Sequence, residues 1–370
     1  MNPFKYSDEY ISNNEFMIAL PSMLIGVSVL ALPSQVASVT SFSDGWISIL
    51  ISGVMFTIFA ILGTKLAALF PNQSFLSYMS FLVTKPVAIV LTFVNVCIAL
   101  FLSAFSVRSV AYISQQYLFN HTPMEVLALL FLLVVIYAVS GSRAGVFRLN
   151  VLFLPIILVV FLFVGIMNIK WIEAENFLPL FQSDLKAYMK GVVETYEAFV
   201  GIGIVLFYVV IIKQPKHLTK KIITGMSIAS IFYILIFLLS IGVFGNMVTG
   251  NLQYPMIELA KRVDIPGGIF ERIDALIFTI WIMAIFNTVA LSLDAGVFLL
   301  SSIFKQINKR ILTFILSPIV YYVAMFPQQV DQVKKTTSIA SQIISYFTFA
   351  LILSLLLIAK IRGVSSCDKK

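Results

Sequence analysis

Uncharged apolar runs of about 20 residues recur from one end of this chain to the other. Val87–Phe105 is one such run and Leu149–Ile169 is another. An α-helix rises about 1.5 Å per residue, so each run spans about 30 Å, the thickness of a bilayer's hydrocarbon core. In that medium every backbone N–H and C=O must be satisfied inside the protein, which leaves helices and closed barrels. The runs are continuous and do not alternate, which excludes a barrel. Composition agrees: 60% of the residues are hydrophobic and only 11% are charged, with a mean hydropathy of +1.00. A soluble domain carries about 25% charge. A soluble enzyme, a secreted disulfide scaffold and a disordered chain are excluded.

The 370 residues are expected to form one all-α integral membrane domain of ten transmembrane helices. They are placed at about Glu15–Ala37, Trp46–Leu69, Val87–Tyr117, Met124–Val139, Phe147–Ile169, Ala187–Ile212, Ile222–Phe244, Ile273–Ile303, Ile311–Phe326 and Ile339–Ile361. The net charge of +8 sits mostly in short loops. There it reads as an orientation signal, so no nucleic-acid partner is expected. Most Lys and Arg fall on the cytosolic side if both termini are cytosolic. The amino terminus MNPFKYSDEYISNNEF is polar, so the first run is expected to stay as a span. Cys97 and Cys367 make no disulfide framework, and His121 and His217 have no metal-ligand neighbours, so no metal or other cofactor is expected. Lys170–Lys186 is a polar outer segment. A short outer helix is expected around YPMIELAKRV, with Pro255 near its start and Pro266-Gly267-Gly268 ending it.

Two spans carry helix-breaking clusters. The first holds Pro21, then Gly26-Val27-Ser28, then Pro33; the sixth holds Gly201-Ile202-Gly203. Small residues also let helices pack closely. The two clusters together, five spans apart, favour opened helices at corresponding positions of two halves. That pattern points to a binding site at the midplane of a transporter fold. The halves are expected to be inverted repeats over about 13–170 and 186–361.

Ionisable groups in the hydrocarbon mark functional sites by default. Glu194, Tyr196 and Glu197 lie in the sixth span, the two glutamates on one helix face; they can bind an amino group, carry a proton, or face water at the interface. Arg108 in the third span can pair with a glutamate, clamp a substrate carboxylate, or reach the outer headgroups. Asn287 and Asp294 share a face of the eighth span and are open between a cation or coupling site and a structural pair. Phe105, Tyr196 and Phe199 near the breaks suit a small amphipathic molecule or an ordinary core. No nucleophile–base set or phosphate loop is present, so an enzyme is not expected.

The segment IGVSVLALP at 25–33 resembles the first-helix motif of the amino acid–polyamine–organocation superfamily, with Ser28 where a glycine is usual. DGWISILISG at 44–53, ENFLPL at 175–180 and FERIDALIFTIWIMAIF at 270–286 narrow the resemblance. Together they look like the spore germination permease family, the B subunits of nutrient germinant receptors. The resemblance implies inverted five-helix repeats whose broken helices one and six frame the ligand. It implies residence in the inner membrane of the bacterial spore, with an A subunit and a lipoprotein C subunit as partners. It implies a small nutrient ligand, amino acid or sugar, whose binding starts germination. The site residues it implies are Gly26, Val27 and Ser28 with Glu194 to Gly203. Proton-coupled relatives in the superfamily often carry a lysine in mid-span five, and this chain has none there. A stand-alone coupled amino acid transporter is the competing expectation.

Overall fold

The computed structural model describes residues 9–213, 218–263, 273–326 and 330–363. His217, Pro266-Gly267-Gly268 and Cys367 lie outside them, as does the side chain of Val27. The described chain is helical apart from loops and one isolated bridge.

The first helix, α1 (Asn13–Ala37), starts where Ser12 and Glu15 form a reciprocal capping box. Each satisfies a backbone N–H that the helix start leaves free. The helix then bends by 60° between Asn13–Gly26 and Ser28–Ala37. Then come α2 (Gly45–Ala68), α3 (Phe75–Leu82), α4 (Lys85–Tyr117), α5 (Met124–Ser140) and α6 (Arg143–Asn168). The sixth expected span is in pieces: α7 (Leu185–Glu194), α8 (Tyr196–Phe199), a 3-10 turn at Val200–Ile204, α9 (Val205–Tyr208) and a second turn at Val209–Ile211. It is followed by α10 (Leu218–Asn251), α11 (Pro255–Lys261), α12 (Ile273–Ile303), α13 (Lys309–Met325) and α14 (Val330–Ile361). Six helices are long and apolar enough to cross a membrane, and the two bent pairs raise the number to eight among the described residues. The chain is a multi-pass membrane protein.

Two differences from the expected elements have local causes. The short helix α3 lies between the second and third spans, outside the ten expected helices; the Ser74 hydroxyl caps it by accepting from Ser77 N–H. At the far end of α10, Gly245 takes φ 75°, the left-handed region that a Cβ disfavours. The helix breaks there, one residue past the expected end at Phe244.

The bundle is centred on α1, which packs on α10 and α12, while α12 packs on α4. At the face carrying the amino terminus, buried Asp294 of α12 gathers two cations and a hydroxyl from three other elements. Arg143 Nε and Lys309 Nζ each lie 3.0 Å from its carboxylate, and the Tyr208 hydroxyl donates to it at 2.7 Å. Arg143 also covers the Phe298 ring at 4.1 Å and meets Glu9 at 3.7 Å. Beside this cluster Arg148 pairs with Glu15 at 3.2 Å. Ile11 forms a parallel bridge with Ile212: its N–H donates to Ile211 O and its carbonyl accepts from Lys213 N–H.

At the opposite face, Asp44 holds the segment that leads into α7. Its carboxylate accepts from the backbone N–H groups of Phe181 and Ser183, both at 2.7 Å. Burial raises the Asp44 pKa, but the hydrogen bonds from Ser183 and Phe181 outweigh it and leave the group below its usual value.

Two predictions come from these anchors. Asp294→Asn removes the counter-charge of Arg143 and Lys309, and breaking a buried pair costs about 3–5 kcal/mol. Thermal melts of the detergent-purified protein should show that loss as a fall in Tm. A carboxylate whose folded pKa is depressed stabilises above its unfolded value of about 3.9 and loses that contribution as pH falls through the folded value. Melts between about pH 6 and pH 3 should therefore show a shallower acid decline for Asp44→Asn than for the parent chain.

Candidate functional site

The two bent helices meet across the bundle. Ser28, just past the bend of α1, donates to the carbonyl of Glu197 at 3.3 Å. Two turns further along α1, Gln35 Nε2 donates to the Glu197 carboxylate at 3.1 Å. One helix end thus supplies partners for the other.

The bend in the sixth span begins earlier than the glycine cluster suggests. Leu185–Glu194 and Tyr196–Ile211 meet at 42°, with Thr195 between them. The Thr195 hydroxyl lies 2.7 Å from Val192 O, three residues back, and 2.5 Å from the Ser52 hydroxyl of α2. A hydroxyl bonded to its own helix in this way competes with the regular ladder and favours a bend. Gly201 and Gly203 follow within the 3-10 turn. The bend therefore separates Glu194 from Glu197, which were expected on one uninterrupted helix face.

Both glutamates nevertheless line one cavity of about 320 Å³, in the half of the bundle away from the amino terminus. Its polar walls come from Gln35, Arg108, Tyr112, Glu194, Glu197 and Lys335. Phe105 supplies an apolar wall and separates it from a smaller cavity of about 40 Å³, which Ser28, Gly201 and Thr288 line. Arg108 is 6% exposed, so it does not reach the headgroups. Its nearest polar contact is the Met325 sulfur at 4.0 Å, a weak acceptor. The cavity thus presents cations and carboxylates to a single small space, where low dielectric strengthens each charge. A molecule with one anionic and one cationic end can satisfy both.

The other expected site residues fall elsewhere. Gly26 faces α12: a Cβ added there would lie 2.2 Å from Thr288 Oγ1 and 3.2 Å from Ala284 O. Val27 lies at the bend itself. The Tyr196 ring packs edge-on to Phe56 at 5.4 Å and to Tyr346 at 5.5 Å, in the core between α2 and α14. Phe199 stacks on Phe56 at 5.1 Å. Gly201 borders the smaller cavity beside Met23, and a Cβ on Gly203 would meet open space. Asn287 donates to Ser22 Oγ at 2.7 Å and braces α1. Asp294 sits in the charge cluster at the amino-terminal face, apart from the cavity. Sequence reasoning missed Gln35, Gln253 and Lys335 on the cavity wall. Gln35 alone had a signal, since it lies seven residues past Ser28 on the same helical stripe.

Gly26→Val should push α12 from α1 at Thr288. The expected outcome is a sharp loss of folded protein in membranes, read as a collapsed monodisperse peak on size exclusion in detergent.

A family model described as spore germination protein matches residues 10–333. Spore germination protein GerLB of Bacillus cereus is 39% identical over 333 residues, covering 90% of this chain and 89% of GerLB. Spore germination protein YndE of Bacillus subtilis is 28% identical, covering 95% of this chain and 97% of YndE. Among solved structures, MhsT in complex with L-phenylalanine superimposes with a TM-score of 0.68 at 15% identity, over 93% of this chain and 89% of MhsT. Mhp1, a nucleobase-cation-symport-1 family transporter with bromovinylhydantoin bound, gives 0.69 at 15% identity, over 96% of this chain and 77% of Mhp1. These two likenesses show that the chain has a LeuT-like fold.

Proposed function

The chain belongs to the spore germination protein family, and on that premise we propose that it is the membrane subunit of a nutrient germinant receptor. It binds a small nutrient, an amino acid or a sugar, between its two broken helices and so triggers germination. The observation that carries this reading is the cavity of about 320 Å³ whose lining includes Arg108, Glu194 and Glu197. An amino acid suits it better than a sugar: Arg108 takes the carboxylate, a glutamate takes the ammonium, and Tyr112 with Phe105 encloses the side chain. Its volume falls at the lower end of the roughly 300–1,000 Å³ typical of small-molecule sites.

In the same reading α5 and α13 are short spans. With the six long helices and the two bent pairs they give ten, arranged as inverted repeats over 13–170 and 186–361 with both termini cytosolic. The cavity then opens away from the cytosol, where an external nutrient arrives. An A subunit and a lipoprotein C subunit sense the rearrangement in the inner membrane of the spore. To drive it, the nutrient must bind one arrangement of the bundle better than the other.

The fold shared with MhsT and Mhp1 favours a second reading, a stand-alone proton- or ion-coupled amino acid transporter. Flux of a bound amino acid into liposomes separates the two: accumulation supports the transporter, and binding without flux supports the sensor.

Thermal shift on the detergent-purified protein, screened with amino acids and sugars, tests the site itself, since a ligand of the native state raises Tm. Hydrogen bonds to charged groups contribute about 1.5–3 kcal/mol, so Arg108→Gln and Glu197→Gln should each weaken binding by about 10- to 100-fold. Unchanged affinity in both variants would remove the cavity from the binding site.

A further inference from the structure

The bend in α1 frees backbone carbonyls inside the bundle, and freed carbonyls of opened helices are what coordinates cations in coupled transporters. Here three carbonyls beside the bend meet a side-chain donor. Met23 O accepts from the Thr288 hydroxyl at 2.8 Å. Leu24 O accepts from the Tyr233 hydroxyl at 2.6 Å. Gly26 O accepts from the Trp281 indole N–H at 3.0 Å. In the opened stretch of the sixth span Ser28 donates to Glu197 O at 3.3 Å, and the Tyr233 oxygen, whose one proton goes to Leu24 O, lies 3.2 Å from Ala198 O. Asn287, the polar residue of α12 beside the bend, turns its amide N–H to Ser22 Oγ at 2.7 Å, while its Oδ1 is buried with no hydrogen-bond partner.

We infer that Trp281, Thr288 and Tyr233 stand in the place of a coupling cation, so that the broken helices are held open by the protein's own hydrogen-bond donors and need no inorganic ion. A hard cation takes about six or more oxygen ligands. An indole N–H offers a proton and no lone pair, so Trp281 repels a cation from Gly26 O. Space agrees with chemistry. The backbone of α1 at Gly26 lies so close to α12 that even one added carbon would meet Thr288 Oγ1 at 2.2 Å. Trp281 and Tyr233 are buried at 2% and 0% exposure, which fixes their donors in place. The residues at the break therefore do not fit the ion that a cation symporter of this fold would use. The inference concerns the break alone and holds whether or not a nutrient binds in the cavity above it.

The test uses the full chain in detergent with the cation as the only probe. Tm is measured in sodium, potassium and choline chloride at equal ionic strength. A site-bound cation at about 100 times its Kd raises Tm by several degrees. The expected result is one Tm in all three salts. A Tm several degrees higher in sodium or potassium than in choline overturns the inference. A second arm reads the donors directly. Thr288→Val should lower Tm equally in the three salts, and Thr288→Ser, which keeps the hydroxyl, should restore the parent value. Thr288→Val melting with the parent chain overturns the assignment of Thr288 as the partner of Met23 O.

Discussion

A backbone group left without a partner in hydrocarbon costs several kcal/mol, and this bundle is organised around that penalty. Its two opened helices turn carbonyls toward the interior of the bundle. The polar residues of the core are consequently not scattered. Ser28, Tyr233, Trp281 and Thr288 all aim at the breaks, and each has a carbonyl of α1 or of the sixth span as its target. Beside them Glu194 and Glu197 of the sixth span, with Arg108 of α4, line a cavity. Satisfying the backbone and presenting a recognition surface are two results of one arrangement.

Much of this was legible in the sequence, because lipid imposes length and polarity rules that a soluble core does not. The long spans, the bend near Gly26, the short helix starting at Pro255 and the spacing of the two broken segments follow from apolar run length and from proline and glycine placement. The recognition side chains were legible where a charge interrupted an apolar run, as at Arg108, Glu194 and Glu197. What stayed hidden depends on partners distant in the chain. Thr195, at the bend of the sixth span, also meets the Ser52 hydroxyl of α2, and no local signal at Thr195 names that partner. Lys335 and Gln253 reach the cavity from segments that look like ordinary loop and helix ends. The glycines at 201 and 203 mark a change of helical geometry, while the sharp turn lies six residues before the first of them.

The helix α12 shows how one polar stripe can serve two purposes. Asn287 and Asp294 share a face, and that spacing alone leaves a cation site and a structural brace equally open. The structure separates them along the helix axis. Asn287 steadies α1 beside its bend, whereas Asp294 ties Arg143 of α6 and Lys309 of α13 at the amino-terminal face. With Arg143 and Lys309 already at its oxygens, Asp294 is a counter-ion for the fold.

The bridge between Ile11 and Ile212 joins the chain just before α1 to the chain just after the second turn of the sixth span. Two backbone hydrogen bonds, from Ile11 to Ile211 and from Lys213 to Ile11, couple the lower halves of both broken helices at their far ends. Those halves are therefore hinged at the middle of the bundle and clasped at its edge, like two arms of one lever. Separating the two arms at the amino-terminal face would require breaking both of these backbone hydrogen bonds.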